Sequence, residues 1–92
     1  MPQNVFKQNL ASGSVQYGGW CSIGDAVVAE IMATAGFDWL LIDGEHGPNH
    51  LRSMLAQLQA VQAYSVAPLV RVPTGDAVLI KQCLDALSLI HI

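Results

Sequence analysis

Short apolar runs alternate along this chain with stretches of helical period. Val5 to Leu10 reads as a short leading helix that stops at Ser12-Gly13, and Val15 to Cys21 as a first strand ending at Gly18-Gly19-Trp20. Ser22 or Asp25 can cap a helix running to about Ala35, with Gly36 where a left-handed C-terminal residue belongs. Its positions Val27, Val28, Ile31 and Met32, together with its alanines, suit close packing on a sheet. Phe37 to Ile42 is a near-continuous apolar run that stops at Asp43-Gly44, the pattern of a strand buried on both faces. Asn49 then caps a second helix, in which Leu51, Met54, Leu55, Leu58 and Val61 follow the i, i+3, i+4, i+7 rule and Arg52, Gln57 and Gln59 fall on other faces. Pro68 to Val72 is a third strand, closed by Pro73-Thr74-Gly75. Asp76 starts a third helix through Val78, Ile80, Cys83, Leu84 and Leu87.

The order is βαβαβα, with strand ends near Trp20, Asp43 and Arg71, spaced by 23 and 28 residues. Each spacing fits one strand–helix unit, so parallel strands joined by right-handed crossovers are expected. A doubly wound sheet and part of a (β/α) barrel both remain open on pattern alone. The first strand-to-helix turn, Gly18-Gly19-Trp20-Cys21-Ser22, is not G-x-G-x-x-G, which weakens a dinucleotide-binding reading, and no P-loop is present.

Composition changes this picture in one respect. The chain has 92 residues, 52% apolar and 12% charged, against about 25% charged in ordinary soluble domains. So short a chain has little interior for so much apolar surface. It is expected either to associate or to be a piece of a larger fold. Four Lys+Arg against seven Asp+Glu leave no basic patch for nucleic acid. No apolar run reaches the roughly 18 residues of a membrane span, and the N-terminus lacks the pattern of a signal peptide. Cys21 and Cys83 show no CxxC spacing and fit reduced thiols in a cytoplasmic protein.

In parallel α/β folds the chemistry gathers at the C-terminal ends of strands. Three groups lie there: Trp20, Asp43-Gly44-Glu45-His46 and Arg71. Histidine is the side chain suited to acid/base work at neutral pH, and Asp43, three residues before His46, is placed to orient its ring or raise its pKa; satisfying loop carbonyls is the plainer role. Arg71, inside an apolar strand, needs an anion: Asp43, Glu45 or a substrate carboxylate. Glu45 is a loop-bracing acceptor before it is a base or metal ligand. His46 and His50 have i, i+4 spacing, but Pro48 stands between them and H-E-x-x-H is absent, so no zinc pair is expected. Trp20 is a pocket wall or barrel filling. Lys81 falls in a helix, where a Schiff-base role is not expected; the cysteines read as small buried hydrophobes and Asp76 as a helix cap.

The run Ala35-Gly36-Phe37-Asp38-Trp39-Leu40-Leu41-Ile42-Asp43-Gly44-Glu45-His46-Gly47-Pro48-Asn49 resembles the signature of the HpcH/HpaI aldolases, metal-dependent (class II) pyruvate aldolases. The similarity extends through Val15 to Trp20, Pro68 to Pro73 and Ile80 to Asp85, and covers roughly residues 4 to 86. It implies an α/β fold, the N-terminal βαβαβα portion of a (β/α)8 TIM barrel, incomplete here, in a cytoplasmic lyase of aromatic-compound catabolism that assembles as hexamers. The reaction implied is cleavage of a 4-hydroxy-2-oxo acid, of the heptanedioate or glucarate type, to pyruvate and an aldehyde.

The resemblance makes His46 the acid/base residue, assisted by Asp43 and a water. Arg71 then bonds the keto oxygen of pyruvate, Trp20 lines the pocket and Glu45 supports. A divalent ion, Mg²⁺, Mn²⁺ or Co²⁺, would chelate pyruvate in the full-length enzyme; its Glu and Asp ligands come from later strands, so no metal ligand is expected in this chain. Where the family has a glycine-containing turn into a fourth strand, this chain has Ala86-Leu87-Ser88-Leu89-Ile90-His91-Ile92. Residues 1–86 are therefore expected to be the N-terminal part of a barrel domain. Residues 87–92 read as a tail outside the family pattern, a truncation or out-of-frame junction, in which His91 has no role. The competing reading is a non-catalytic α/β module that assembles through open sheet edges.

Overall fold

The computed structural model describes residues 4–73, 75–85 and 90–91, the last two by backbone alone. Its elements in chain order are α1 (Val5–Ala11), β1 (Gly18–Cys21), α2 (Ala26–Ala33), β2 (Trp39–Asp43), α3 (Leu51–Val61), β3 (Ala67–Arg71), α4 (Ala77–Asp85) and β4 (Ile90–His91). The sheet is parallel throughout and its order, β1-β2-β3-β4, follows the chain without reversal. A doubly wound sheet reverses its order at a switch point; this one does not, and it has the succession of a barrel wall. The short β4, in which His91 pairs with Val70, was not expected from sequence. The adjoining residues 86–89, and with them the reading of Leu87 as helical, lie outside the described residues.

Each helix begins where a side chain can take up free amide hydrogens. Asp25 accepts from Val27 N–H at 2.7 Å and starts α2, and Gly36 (φ +90°) follows its end in the left-handed conformation expected of it. Asp76 accepts from the N–H groups of Val78 and Leu79 ahead of α4. The start of α3 differs from expectation: His50, not Asn49, is the cap. Its Nδ1 accepts from Ser53 N–H while the Ser53 hydroxyl accepts from His50 N–H, a reciprocal capping box. Asn49 is thereby free for another task.

The first strand begins three residues later than expected. Val15 and Tyr17 are exposed, because β2 offers no ladder partner before Trp39; Gly18 pairs there first. In β2 the continuous run is buried as predicted, Leu40, Leu41 and Ile42 each at 1% exposure. Its two faces serve two cores. Leu40 and Ile42 join Cys21, Val70 and Val72 against α2, α3 and Cys83 of α4. Leu41 and Leu69 face the other way, under Phe6 of α1 and beside Trp39 and Ala67.

Two helix faces depart from the sequence reading. In α2 the residues fully buried are Ala29 and Ala33, while Val27 and Ile31 each remain 63% exposed. The small side chains let the helix approach its neighbours and the branched ones turn outward. In α3, Met54, Gln57, Leu58 and Val61 are buried whereas Leu55 is exposed. Positions 54, 57, 58 and 61 are themselves spaced i, i+3, i+4, i+7, so Gln57 sits on the buried stripe and Leu55 off it. No helix among the described residues is long and apolar enough to cross a membrane.

Candidate active site

The β2–β3 register pairs Asp43 with Arg71 at the C-terminal ends of neighbouring strands. Alternation sets Asp43 on the face of Leu41 and Arg71 on the face of Leu69, away from α2 and α3. Trp20, opposite Leu41 in the β1–β2 ladder, points to the same face. These three side chains come together, and Asp43 is their centre.

The Asp43 carboxylate is 2% exposed and receives five hydrogen bonds. Oδ1 accepts from the amides of Glu45 (2.9 Å) and His46 (3.0 Å) and from Arg71 Nε (3.0 Å). Oδ2 accepts from Arg71 Nη2 at 2.5 Å and from the Trp20 indole N–H at 3.2 Å. The paired guanidinium is the main reason the carboxyl is held well below the usual carboxylate range. Burial opposes it, and the His46 and Glu45 amides and the Trp20 N–H reinforce it. Asp43 in turn raises the Arg71 pKa further, so this cation is permanent. A depressed carboxyl stabilises the fold above the ordinary aspartate pKa of about 4 and loses that contribution as pH falls below it. The thermal midpoint of the chain is therefore expected to be level from pH 7 to about 5 and to drop below about pH 4. An Arg71→Met variant should show a shallower drop, and equal acid sensitivity in the two would contradict the pairing.

The anion required by Arg71 is thus Asp43, with Glu45 Oε1 also 3.7 Å from Arg71 Nε. Side-on pairing uses Nε and Nη2, and the Nη1 hydrogens have no partner among the described residues. The guanidinium also lies 5.5 Å from the centre of the Trp20 ring, which meets Trp39 edge to face at 6.2 Å. Trp20 is 48% exposed, consistent with a wall of an open site.

The placing of His46 corrects one expectation. Asp43 does not hold its ring; it holds its backbone amide. The ring instead sets Nε2 3.0 Å from Glu45 Oε1, with the His46 side chain 71% exposed. Glu45 Oε1 thus stands between the His46 imidazole and, at 3.7 Å, Arg71 Nε. His50 is committed to capping α3, so the two histidines form no pair. Lys81 is exposed on α4, and Cys21 and Cys83 are buried thiols whose pKa values burial pushes up.

The loop after β2 fits tightly. Gly44 N–H donates to Arg71 C=O at 2.8 Å, and a Cβ at Gly44 would stand 2.8 Å from that same oxygen and from Met54 Sδ. Gly44→Ala is expected to cost about 1–3 kcal/mol by overpacking, read as a lowered thermal midpoint; an unchanged midpoint would contradict the close approach. Sequence reasoning missed the other support of this loop. Asn49 Nδ2 donates to Asp43 C=O at 2.9 Å, while Asn49 Oδ1 accepts from Ser53 Oγ (2.9 Å) and Gln57 Nε2 (2.6 Å). The signal was present: polar residues at positions 49, 53 and 57, four apart, fall on one stripe running from the loop before α3 into that helix.

These residues do not make a metal site by themselves. Among the described residues no three His, Cys, Asp or Glu side chains converge as a metal site requires. Both oxygens of Asp43 are taken up by N–H donors, leaving the lone carboxylate of Glu45, whereas a hard divalent cation gathers about six oxygens.

The signature of the family described as HpcH/HpaI aldolase/citrate lyase matches residues 16–90. A hydroxypyruvate/pyruvate aldolase from Paraburkholderia phytofirmans is 59% identical over 85 residues, which are 92% of this chain and 32% of that protein. A 4-hydroxy-2-oxovalerate aldolase from Rhodococcus jostii is 58% identical over 91% of this chain and 33% of its own. Among solved structures, a HpcH/HpaI aldolase/citrate lyase family protein from Burkholderia cenocepacia superposes with a TM-score of 0.84 at 44% identity. That match covers 91% of this chain and 34% of the solved one. This chain spans about a third of the length of the curated relatives it matches.

Proposed function

This chain belongs to the HpcH/HpaI aldolase/citrate lyase family, and we propose that in a whole barrel its strand ends form the pyruvate side of an aldolase site. The reaction is reversible cleavage of a 4-hydroxy-2-oxo acid to pyruvate and an aldehyde. The observation that carries this reading is the side-on Asp43–Arg71 pair at adjoining strand ends, with Trp20 and His46 beside it. Breaking the C3–C4 bond sends its electron pair towards the 2-keto oxygen. Arg71, fixed by Asp43 through Nε and Nη2, has its Nη1 hydrogens free to donate to that oxygen as charge builds there. His46, exposed on the loop, takes the proton from the 4-hydroxyl, directly or through a water, and returns it to C3 of the enolate. Trp20 closes one side of the substrate's plane. Glu45 positions the imidazole through its 3.0 Å contact.

A divalent cation, Mg²⁺, Mn²⁺ or Co²⁺, belongs to this proposal through carboxylates of later barrel strands. Among the described residues no cluster of side chains holds one. A homohexamer in the cytoplasm is likewise part of the proposal. The aldehyde end of the substrate would be read by loops of the remaining barrel. The relatives' names, hydroxypyruvate/pyruvate aldolase and 4-hydroxy-2-oxovalerate aldolase, have a 2-oxo acid in common.

The 92-residue chain alone is expected to be inactive and to self-associate, since β1 is an edge strand with no outer partner among the described residues. The test supplies pyruvate, a semialdehyde and Mn²⁺ to this chain. In parallel it supplies them to a completed barrel in which residues 5–85 replace the matching segment of the Paraburkholderia relative. Aldol product from the completed barrel alone is the predicted result. Comparable turnover by the isolated chain would overturn the expected inactivity, and none from the barrel would overturn the function.

A further inference from the structure

Asn49, Ser53 and Gln57 form a polar line through an otherwise apolar helix face, and Gln57 is the costly member. It is 1% exposed, sits on the buried stripe of α3, and its Oε1 has no hydrogen-bond partner among the described residues. An apolar residue there would leave no unsatisfied atom. Its amide hydrogens are well used: Nε2 donates to Asn49 Oδ1 at 2.6 Å and to Ser53 C=O at 3.0 Å. The Ser53 hydroxyl, whose one hydrogen is shared between Asn49 Oδ1 (2.9 Å) and His50 C=O (3.0 Å), faces the same oxygen, and these donors fix which end of the Asn49 amide faces inward. Nδ2 is thereby aimed at Asp43 C=O, 2.9 Å away.

The loop closes around that contact. Asn49 N–H donates to Gly47 C=O at 2.8 Å, and a Cβ at Gly47 would lie 2.7 Å from Asp43 C=O and 3.2 Å from Asn49 Nδ2. The backbone of Asp43 is pinned from below by Asn49, while its carboxylate pins the amides of Glu45 and His46 from above. We infer that Gln57 and Asn49 are positioning residues that act in series, Gln57 orienting Asn49 and Asn49 holding the Asp43–His46 loop in its working geometry. The inference rests on the proposed aldolase reading for its catalytic consequence, but not for its structural one.

Hydrogen exchange of this chain, followed by mass spectrometry, compares a peptide spanning 44–49 with one spanning 39–42. Asn49→Ala is expected to speed exchange in the loop about tenfold and to leave the β2 peptide unchanged, the mark of local rather than global opening. Gln57→Met, which keeps the volume and removes the donor, provides the same reading should Asn49→Ala fail to fold. Its effect should be smaller, and the double variant should be no worse than Asn49→Ala, because the two act through one bond. In the completed barrel both variants should lower kcat about tenfold or more with KM changed less than threefold, as expected of misplaced groups that act at the transition state. Unchanged loop exchange in both variants, or effects that add fully, would overturn the inference. A completed barrel without pyruvate chemistry would overturn the proposed function and leave the exchange result standing.

Discussion

Asparagine in place of Asp43 is expected to destabilise the chain by about 3 kcal/mol, a fall of roughly 15 °C in thermal midpoint for a domain of this size. The substitution keeps shape and removes charge, so the cost comes from hydrogen-bond bookkeeping. Every ligand of the carboxylate is an N–H: two amides and Arg71 Nε on Oδ1, Arg71 Nη2 and the Trp20 indole on Oδ2. An asparagine NH₂ must face one of these two sets whichever way the amide is turned, and donor then meets donor. The guanidinium is also left without its anion. Differential scanning calorimetry of the two chains at pH 7 tests it. A midpoint within a few degrees of the parent would show that the five bonds do not hold the strand ends together.

Arg71→Lys in the completed barrel is expected to lower kcat by about 10²–10³, the scale set by losing a donor to a developing oxyanion. Lysine keeps the charge but not the fork. Its single ammonium can meet Asp43, or it can meet the substrate oxygen, whereas arginine pairs with Asp43 through Nε and Nη2 and keeps Nη1 in reserve. KM should rise far less than kcat falls, because the lost bond strengthens only as charge develops. Steady-state kinetics with pyruvate and an aldehyde acceptor distinguish the cases. A variant whose loss lies wholly in KM would assign Arg71 to ground-state binding.

Much of this site was legible in the sequence because strand ends are legible. A continuous apolar run stopping at Asp43-Gly44, and an arginine inside Pro-Leu-Val-Arg-Val, place two opposite charges at matching ends of adjacent parallel strands. The need of a part-buried arginine for an anion did the rest. What escaped notice lay in finer geometry. Whether Asp43 reaches the ring or the amide of His46 depends on loop dihedrals that spacing does not carry. The cap of α3 moved from Asn49 to His50 because Ser53 completes a reciprocal pair with the latter. Gln57 is polar by type, yet its position, three after Met54 and one before Leu58, is on the buried stripe. In α2 the alanines expected to pack closely, Ala29 and Ala33, do so, while Val27 and Ile31, expected beside them, stay exposed.

The shortage of charged residues has its explanation in the same topology. A barrel wall is apolar on both faces, inward at Leu41 and Leu69 and outward under the helices. A segment about a third the length of its relatives therefore carries more apolar surface than it can bury alone.

If Arg71 and His46, organised by Asp43, enolise pyruvate, the reaction does not need the aldehyde. The most direct measurement is exchange of the pyruvate methyl protons for deuterium by the completed barrel, followed by NMR without any aldehyde present. Exchange is expected in the parent, slowed by about 10²-fold or more in both His46→Ala and Arg71→Ala. Exchange that persists at the parental rate in both variants would contradict these roles.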